Sequence, residues 1–141
     1  MAMRDIKYIV VHCSAGSARA KAADIVAYHC RTLGWSRPGY HYFIEADGKV
    51  VNIWPEEKYS NGVKGRNMEC VNVCYAGGVD TSQPGLPPKD TRTPQQKAAL
   101  VRLLRELRGR YPQAEIRGHR DFPEVKKACP CFDARKEYEN L

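Results

Sequence analysis

Long apolar runs are missing from this sequence. No stretch of its 141 residues approaches the roughly 20 apolar residues of a membrane-spanning helix, so membrane insertion is not expected. The segment Met1–Lys7 has no apolar stretch of the signal-peptide kind. A Sec-type export address is therefore not expected, and a target outside the cytoplasm would need another route. Internal repeats and low-complexity tracts are absent too, which leaves one domain with one core over residues 1–141. No dense block of one charge occurs, because 23 Lys+Arg are interspersed with 16 Asp+Glu. That argues against a nucleic-acid-binding arm, and no nucleic-acid motif is present. The net charge of +7 favours an anionic partner such as a cell-wall polymer, or serves solubility alone. No pair of acidic residues stands out as the acid and nucleophile of a glycosidase. At 43% hydrophobic and 28% charged, the composition excludes disorder as the main state.

Six cysteines are present: Cys13, Cys30, Cys70, Cys74, Cys129 and Cys131. Without an export signal they are expected to stay reduced. Cys70 and Cys74, on one face of a strand, would lie about 13 Å apart, too far to bridge. Cys30, Cys70 and Cys74 read as small buried hydrophobes.

The pattern along the chain predicts a single α/β domain, a mixed central sheet flanked by helices. Ile6–Val11 (IKYIVV) is β-branched and apolar, a buried strand that ends on His12. Ser17–Leu33 reads as a helix, with Ala22, Ile25, Val26, His29 and Leu33 on one face and Gly34 as its stop. Residues 40–46 and 49–54 flank Asp47-Gly48, a hairpin signal. Cys70–Ala76 is another strand, and 79–92, with three prolines, is a loop. Thr93-Pro94-Gln95-Gln96 opens a helix: Thr93 caps, Pro94 suits the first position, and Gln96 completes a capping box. Its stripe is Leu100, Leu103, Leu104, Leu107 and Tyr111. Glu115–Gly118 is a short strand, and a last helix starts near Asp133.

Two histidines follow predicted strands, His12 and His119, and Cys129 lies ten residues past His119. Two imidazoles and a thiolate suit zinc, and three protein ligands leave a fourth position for water. His12 and His119 are 107 residues apart, so only folding can unite them. The residues alone leave other readings open: histidines without a metal, or a cysteine peptidase built on a Cys–His pair. No cysteine with an orienting His and Asn is evident for the latter.

The segments VVHCSA (10–15), GWSRPGYHY (34–42), RGHRDF (117–122) and KACPCFD (127–133) resemble the zinc-dependent N-acetylmuramoyl-L-alanine amidase family, which includes phage lysins and peptidoglycan recognition proteins. They occur in the family's order, so the resemblance covers nearly the whole chain. It implies the amidase and recognition-protein fold, Zn2+ as cofactor, and His12, His119 and Cys129 as its ligands. It implies Tyr40 and Lys127 as residues that assist the reaction. It further implies a monomeric enzyme that cleaves the bond between N-acetylmuramic acid and L-alanine in peptidoglycan. Without a Sec signal, release through a holin, as for a phage or prophage lysin, or another route is expected. Members that lose the metal cysteine become non-catalytic peptidoglycan-binding modules; Cys129 is retained here.

Cys131 is a near neighbour of the metal cysteine, but the family's ligand directly precedes the proline. Cys13 is expected on the opposite side of its strand from His12. His29 and His41 read as structural. Asp121 is read as an acceptor for a zinc-bound histidine. Two departures stand out. Asn61 occupies a groove segment where the family commonly has histidine, and Cys70-Val71-Asn72 replaces its usual Ser-Ile-Gly. Both concern the substrate groove or its supporting strand.

Overall fold

The computed structural model describes residues 4–141. Strand β1 spans Tyr8–Cys13, followed by helix α1 (Ala22–Ala27), whose last turn widens into a π-turn over Tyr28–Thr32. The hairpin β2 (Tyr42–Ile44) and β3 (Val50–Asn52) comes next, then β4 (Cys70–Tyr75) and helix α2 (Pro94–Arg110). Strand β5 (Glu115–Gly118) and a short helix α3 (Ala134–Glu137) complete the fold. The sheet order is β3-β2-β4-β1-β5, and every pairing is parallel except the β2–β3 hairpin.

Because β1 and β4 lie inside a parallel sheet covered on both faces, both are apolar almost throughout. Side chains still alternate between faces. Ile9, Val11 and Cys13 of β1, with Val71, Val73 and Tyr75 of β4, meet Leu100, Leu103, Leu104 and Leu107 of α2. Burying each leucine contributes roughly 2 kcal/mol. Val10 and Cys70 face the other way, with Val63 and Phe122, and Phe43 and Cys74 pack there against Ala22. The same alternation sends His12 and Asn72 to the face away from α2.

Helix α2 begins as the sequence predicts. The Thr93 hydroxyl accepts the Gln96 N–H at 3.0 Å, and Gln96 Oε1 accepts the Thr93 N–H at 2.9 Å. Gln96 does more than cap: it is fully buried, and its Nε2 donates to the Ile44 and Ala76 carbonyls at the ends of two strands. The hairpin turn also forms as expected, with Gly48 at φ +89°.

Three expected elements differ. Strand β1 runs on through His12 and Cys13, because pairing with β4 continues to Cys13↔Tyr75. The first helix starts at Ala22 rather than Ser17. Residues 14 and 15 are held by the Tyr75 and Gly77 carbonyls, and the Asp24 side chain then takes the Lys21 N–H at 2.8 Å. The strands of the hairpin are also shorter than the apolar runs suggested, at three residues each.

Candidate metal centre

The centre assembles from three chain segments at one end of the sheet. His12 is the penultimate residue of β1 and is buried. His119 opens a single 3-10 turn directly after β5, the strand next to β1. Cys129 lies in the following loop, whose backbone is tied down by the Arg120 N–H donating to the Cys129 carbonyl at 2.8 Å. That loop approaches closely only because residue 118 is glycine: a Cβ there would stand 2.7 Å from Pro130 Cδ. The 107-residue gap between the histidines is thus closed by parallel pairing of β1 with β5.

One ligand atom each from His12, His119 and Cys129 falls within 4.8 Å of the other two, the one such group among the described residues. The imidazole centroids of His12 and His119 are 4.7 Å apart. Burial lowers the pKa of His12 well below the ordinary 6.5, with the nearby His119 adding to the effect. Burial, and then the Lys127 cation, lowers His119 to about 4. Both rings are therefore neutral at pH 7 and keep a lone pair to offer. The Cys13 backbone N–H donates to Cys129 Sγ at 3.1 Å, aiming a positive dipole at the sulfur. Two imidazoles and a thiol with no carboxylate form a donor set suited to zinc rather than to calcium or magnesium.

Tyr40 stands beside this group, its ring 5.1 Å from that of His12. Burial raises its phenol pKa well above 10, so it stays protonated and can donate. Exposed Lys127 shares with His12, Tyr40, His119 and Cys129 the lining of one cavity. That cavity opens into a groove of about 950 Å³ that passes Trp35, Asn61, Lys64 and Lys126. Tyr28, Leu33 and Trp35, all exposed, line the cavity that holds the two imidazoles and the thiol. All five residues singled out from the sequence are thus brought to one place.

The neighbours sort themselves as follows. Cys13 lies on the α2 side of the sheet, opposite His12, with its sulfur 3.8 Å from that of Cys131. Cys131 Sγ is turned to the Gly78 carbonyl at 3.1 Å, away from the imidazoles. All six cysteines are free. His29 accepts the Gly39 N–H through Nδ1 and stacks on Trp35 at 4.7 Å. His41 accepts the Asn72 N–H through Nδ1 and meets the Lys58 carbonyl through Nε2. Asp121 corrects an expectation: its carboxylate accepts the Gly118 N–H at 2.8 Å, capping the turn that carries His119. The acceptor next to a histidine of the cluster is instead Asn72, whose Oδ1 is 2.8 Å from His12 Nε2. In the sequence its one signal was a lone amide inside the apolar strand CVNVCY.

The sequence profile of the N-acetylmuramoyl-L-alanine amidase family matches residues 2–132. The chain is similar to the endolysin of Enterobacteria phage K11, at 40% identity over 128 residues, covering 89% of this chain and 81% of that protein. Among solved structures it is similar to the Ph2119 endolysin from a Thermus scotoductus bacteriophage. The TM-score is 0.77 at 26% identity, covering 92% of this chain and 80% of that one. It shares its fold with PGRP-SA of Apis mellifera, with a TM-score of 0.75 at 17% identity, covering 97% of this chain and 82% of that one.

Proposed function

The chain belongs to the N-acetylmuramoyl-L-alanine amidase family, a family of peptidoglycan hydrolases, and from its site geometry we propose a zinc-dependent endolysin whose metal is held by His12, His119 and Cys129. The observation that carries this reading is the convergence of two imidazoles and a thiol within 4.8 Å, beside the Tyr40 phenol and the exposed Lys127 ammonium. Zinc held by three protein ligands supplies Lewis acidity and a water whose pKa falls toward ~7. The scissile bond is the amide between the lactyl group of N-acetylmuramic acid and the first L-alanine of the stem peptide.

The chain's own residues divide the remaining work. Lys127 places a cation at the cavity wall, where negative charge develops on the carbonyl oxygen during attack. Tyr40 donates a hydrogen bond to the tetrahedral intermediate or orients the attacking water. His12 and His119, kept neutral by burial, need lose no proton before binding a metal. The lysines along the groove and the net charge of +7 favour an anionic wall polymer. We propose a monomer that reaches the wall through a holin or an equivalent route.

Elemental analysis of purified protein tests the metal assignment. One zinc per chain is expected in wild type and none in Cys129→Ser. A full equivalent retained by Cys129→Ser, or a metal seated on Cys131, would remove the proposed ligand set.

A further inference from the structure

Asn72 sits on β4 beside β1, with its Cα level with Val10 and its side chain on the same face as His12. It is fully buried, and His12 is buried with it. Its amide makes two contacts: Oδ1 lies 2.8 Å from His12 Nε2, and Nδ2 lies 2.8 Å from Ser60 Oγ. Ser60 has a single hydroxyl proton, and that proton has a partner in the Gly39 carbonyl at 3.0 Å. Ser60 Oγ therefore accepts from Asn72, which identifies the nitrogen of the amide and leaves Oδ1 facing the imidazole. A carbonyl oxygen only accepts, so His12 Nε2 must carry the ring proton, and Nδ1 keeps the lone pair.

We propose that Asn72 is a positioning residue that fixes His12 as the Nε2–H tautomer and turns Nδ1 toward the metal, and that Gly62 is glycine so that Asn72 fits. This rests on the reading of His12 as a zinc ligand. A Cβ at residue 62 would stand 2.3 Å from Asn72 Cγ and 2.5 Å from both of its terminal atoms. That overlap is too great for a small adjustment, so any side chain at 62 displaces the amide. Ser60 and Gly62, two residues apart in one loop, thus hold the Asn72 amide by a hydrogen bond and by the absence of a side chain. The backbone N–H of Asn72 donates at 2.9 Å to His41 Nδ1, which anchors the strand at the same residue. If the amide were reversed, Nδ2 would donate to Nε2, the proton would move to Nδ1, and the Gly39 carbonyl would lose its donor. The chain that fixes the tautomer is therefore Gly39–Ser60–Asn72–His12. Partners of this kind, which orient a metal ligand from behind, are typically worth 10–100-fold in metal affinity.

Two measurements test it. Long-range ¹H–¹⁵N correlation NMR of the metal-free wild type reads the tautomer directly. An Nε2–H imidazole at His12 is expected, and an Nδ1–H imidazole would overturn the proposal without any variant. Zinc affinity, by competition with a chromophoric chelator, is then compared among full-length variants. Asn72→Leu keeps the shape and loses the acceptor, and should bind zinc about 10–100-fold more weakly. Asn72→Asp keeps an acceptor facing Nε2 and should stay within a few-fold of wild type. Gly62→Ala removes no polar group, yet should weaken binding in the same direction as Asn72→Leu. Equal affinities for wild type, Asn72→Leu and Gly62→Ala would defeat the positioning role while leaving the metal site in place. Absence of zinc binding by wild type would instead defeat the site itself.

Discussion

Acidification of the metal-free chain should unfold it far sooner than its carboxylates alone would dictate. Burial lowers His41 to about 4, its contact to the Lys58 carbonyl only partly opposing this. His119 is lowered to about 4 and His12 well below 6.5, both chiefly by burial. In the unfolded chain each titrates near 6.5, so between 6.5 and about 4 the unfolded state binds more protons than the folded one. The stability contributed by keeping these rings neutral is present above pH 6.5 and is lost as pH falls through that window. By pH 5.5 each ring has lost about 1 kcal/mol relative to pH 7, and the three together about 3–4 kcal/mol. That is a large share of the ~5–15 kcal/mol stability of a domain. Glu56, Asp90 and Glu137 are held below their ordinary carboxyl values, so their contribution fades only near and below pH 4.5 and leaves this window to the histidines. Urea titrations at pH 7.0 and 5.5, with chelator present, measure the difference. A free energy of unfolding that is flat or rising as pH falls over that interval would refute the account of imidazoles held neutral by the fold.

Three further outcomes are expected. Lys127→Ala and Tyr40→Phe should each retain zinc and fold but lose roughly 10²-fold or more in turnover, the scale of one lost transition-state donor; wild-type rates on purified peptidoglycan would show that neither acts in the reaction. Cys131→Ser should keep a full equivalent of zinc, because its sulfur faces the Gly78 carbonyl rather than the imidazoles, and metal loss measured by elemental analysis would contradict that placement. Lytic rate on whole wall should fall as salt rises, since attraction to an anionic polymer is screened over about 8 Å at physiological ionic strength, while a short neutral muropeptide should be little affected. Equal salt sensitivity on both substrates would mean the +7 charge does not target the wall.

Much of the fold was legible because it follows from local rules. The capping box at Thr93, the leucine stripe of α2 and the Asp47-Gly48 turn are each set by a few adjacent residues, and each forms as read. The elements that shifted are those whose limits depend on distant partners. Where β1 ends is decided by how far β4 keeps pairing, and where α1 begins by what holds residues 14 and 15. The convergence of His12, His119 and Cys129 was legible only through the resemblance, since spacing gives no sign that β1 and β5 are neighbours. Asp121, read as an acceptor for a zinc-bound histidine, instead gives its carboxylate to the Gly118 N–H three residues back in the same turn. The partner of His12 lay 60 residues away, on a strand where a buried amide looked like a departure rather than a support.

The central claim is tested most directly by mass spectrometry of the soluble products released when the zinc-loaded chain digests purified sacculi. Cleavage at the lactyl–alanine amide predicts stem peptides with a free N-terminal alanine, intact glycan strands and no new reducing sugar. New reducing ends, or peptides cut between later stem residues, would contradict it even if His12, His119 and Cys129 were found to hold a full equivalent of zinc.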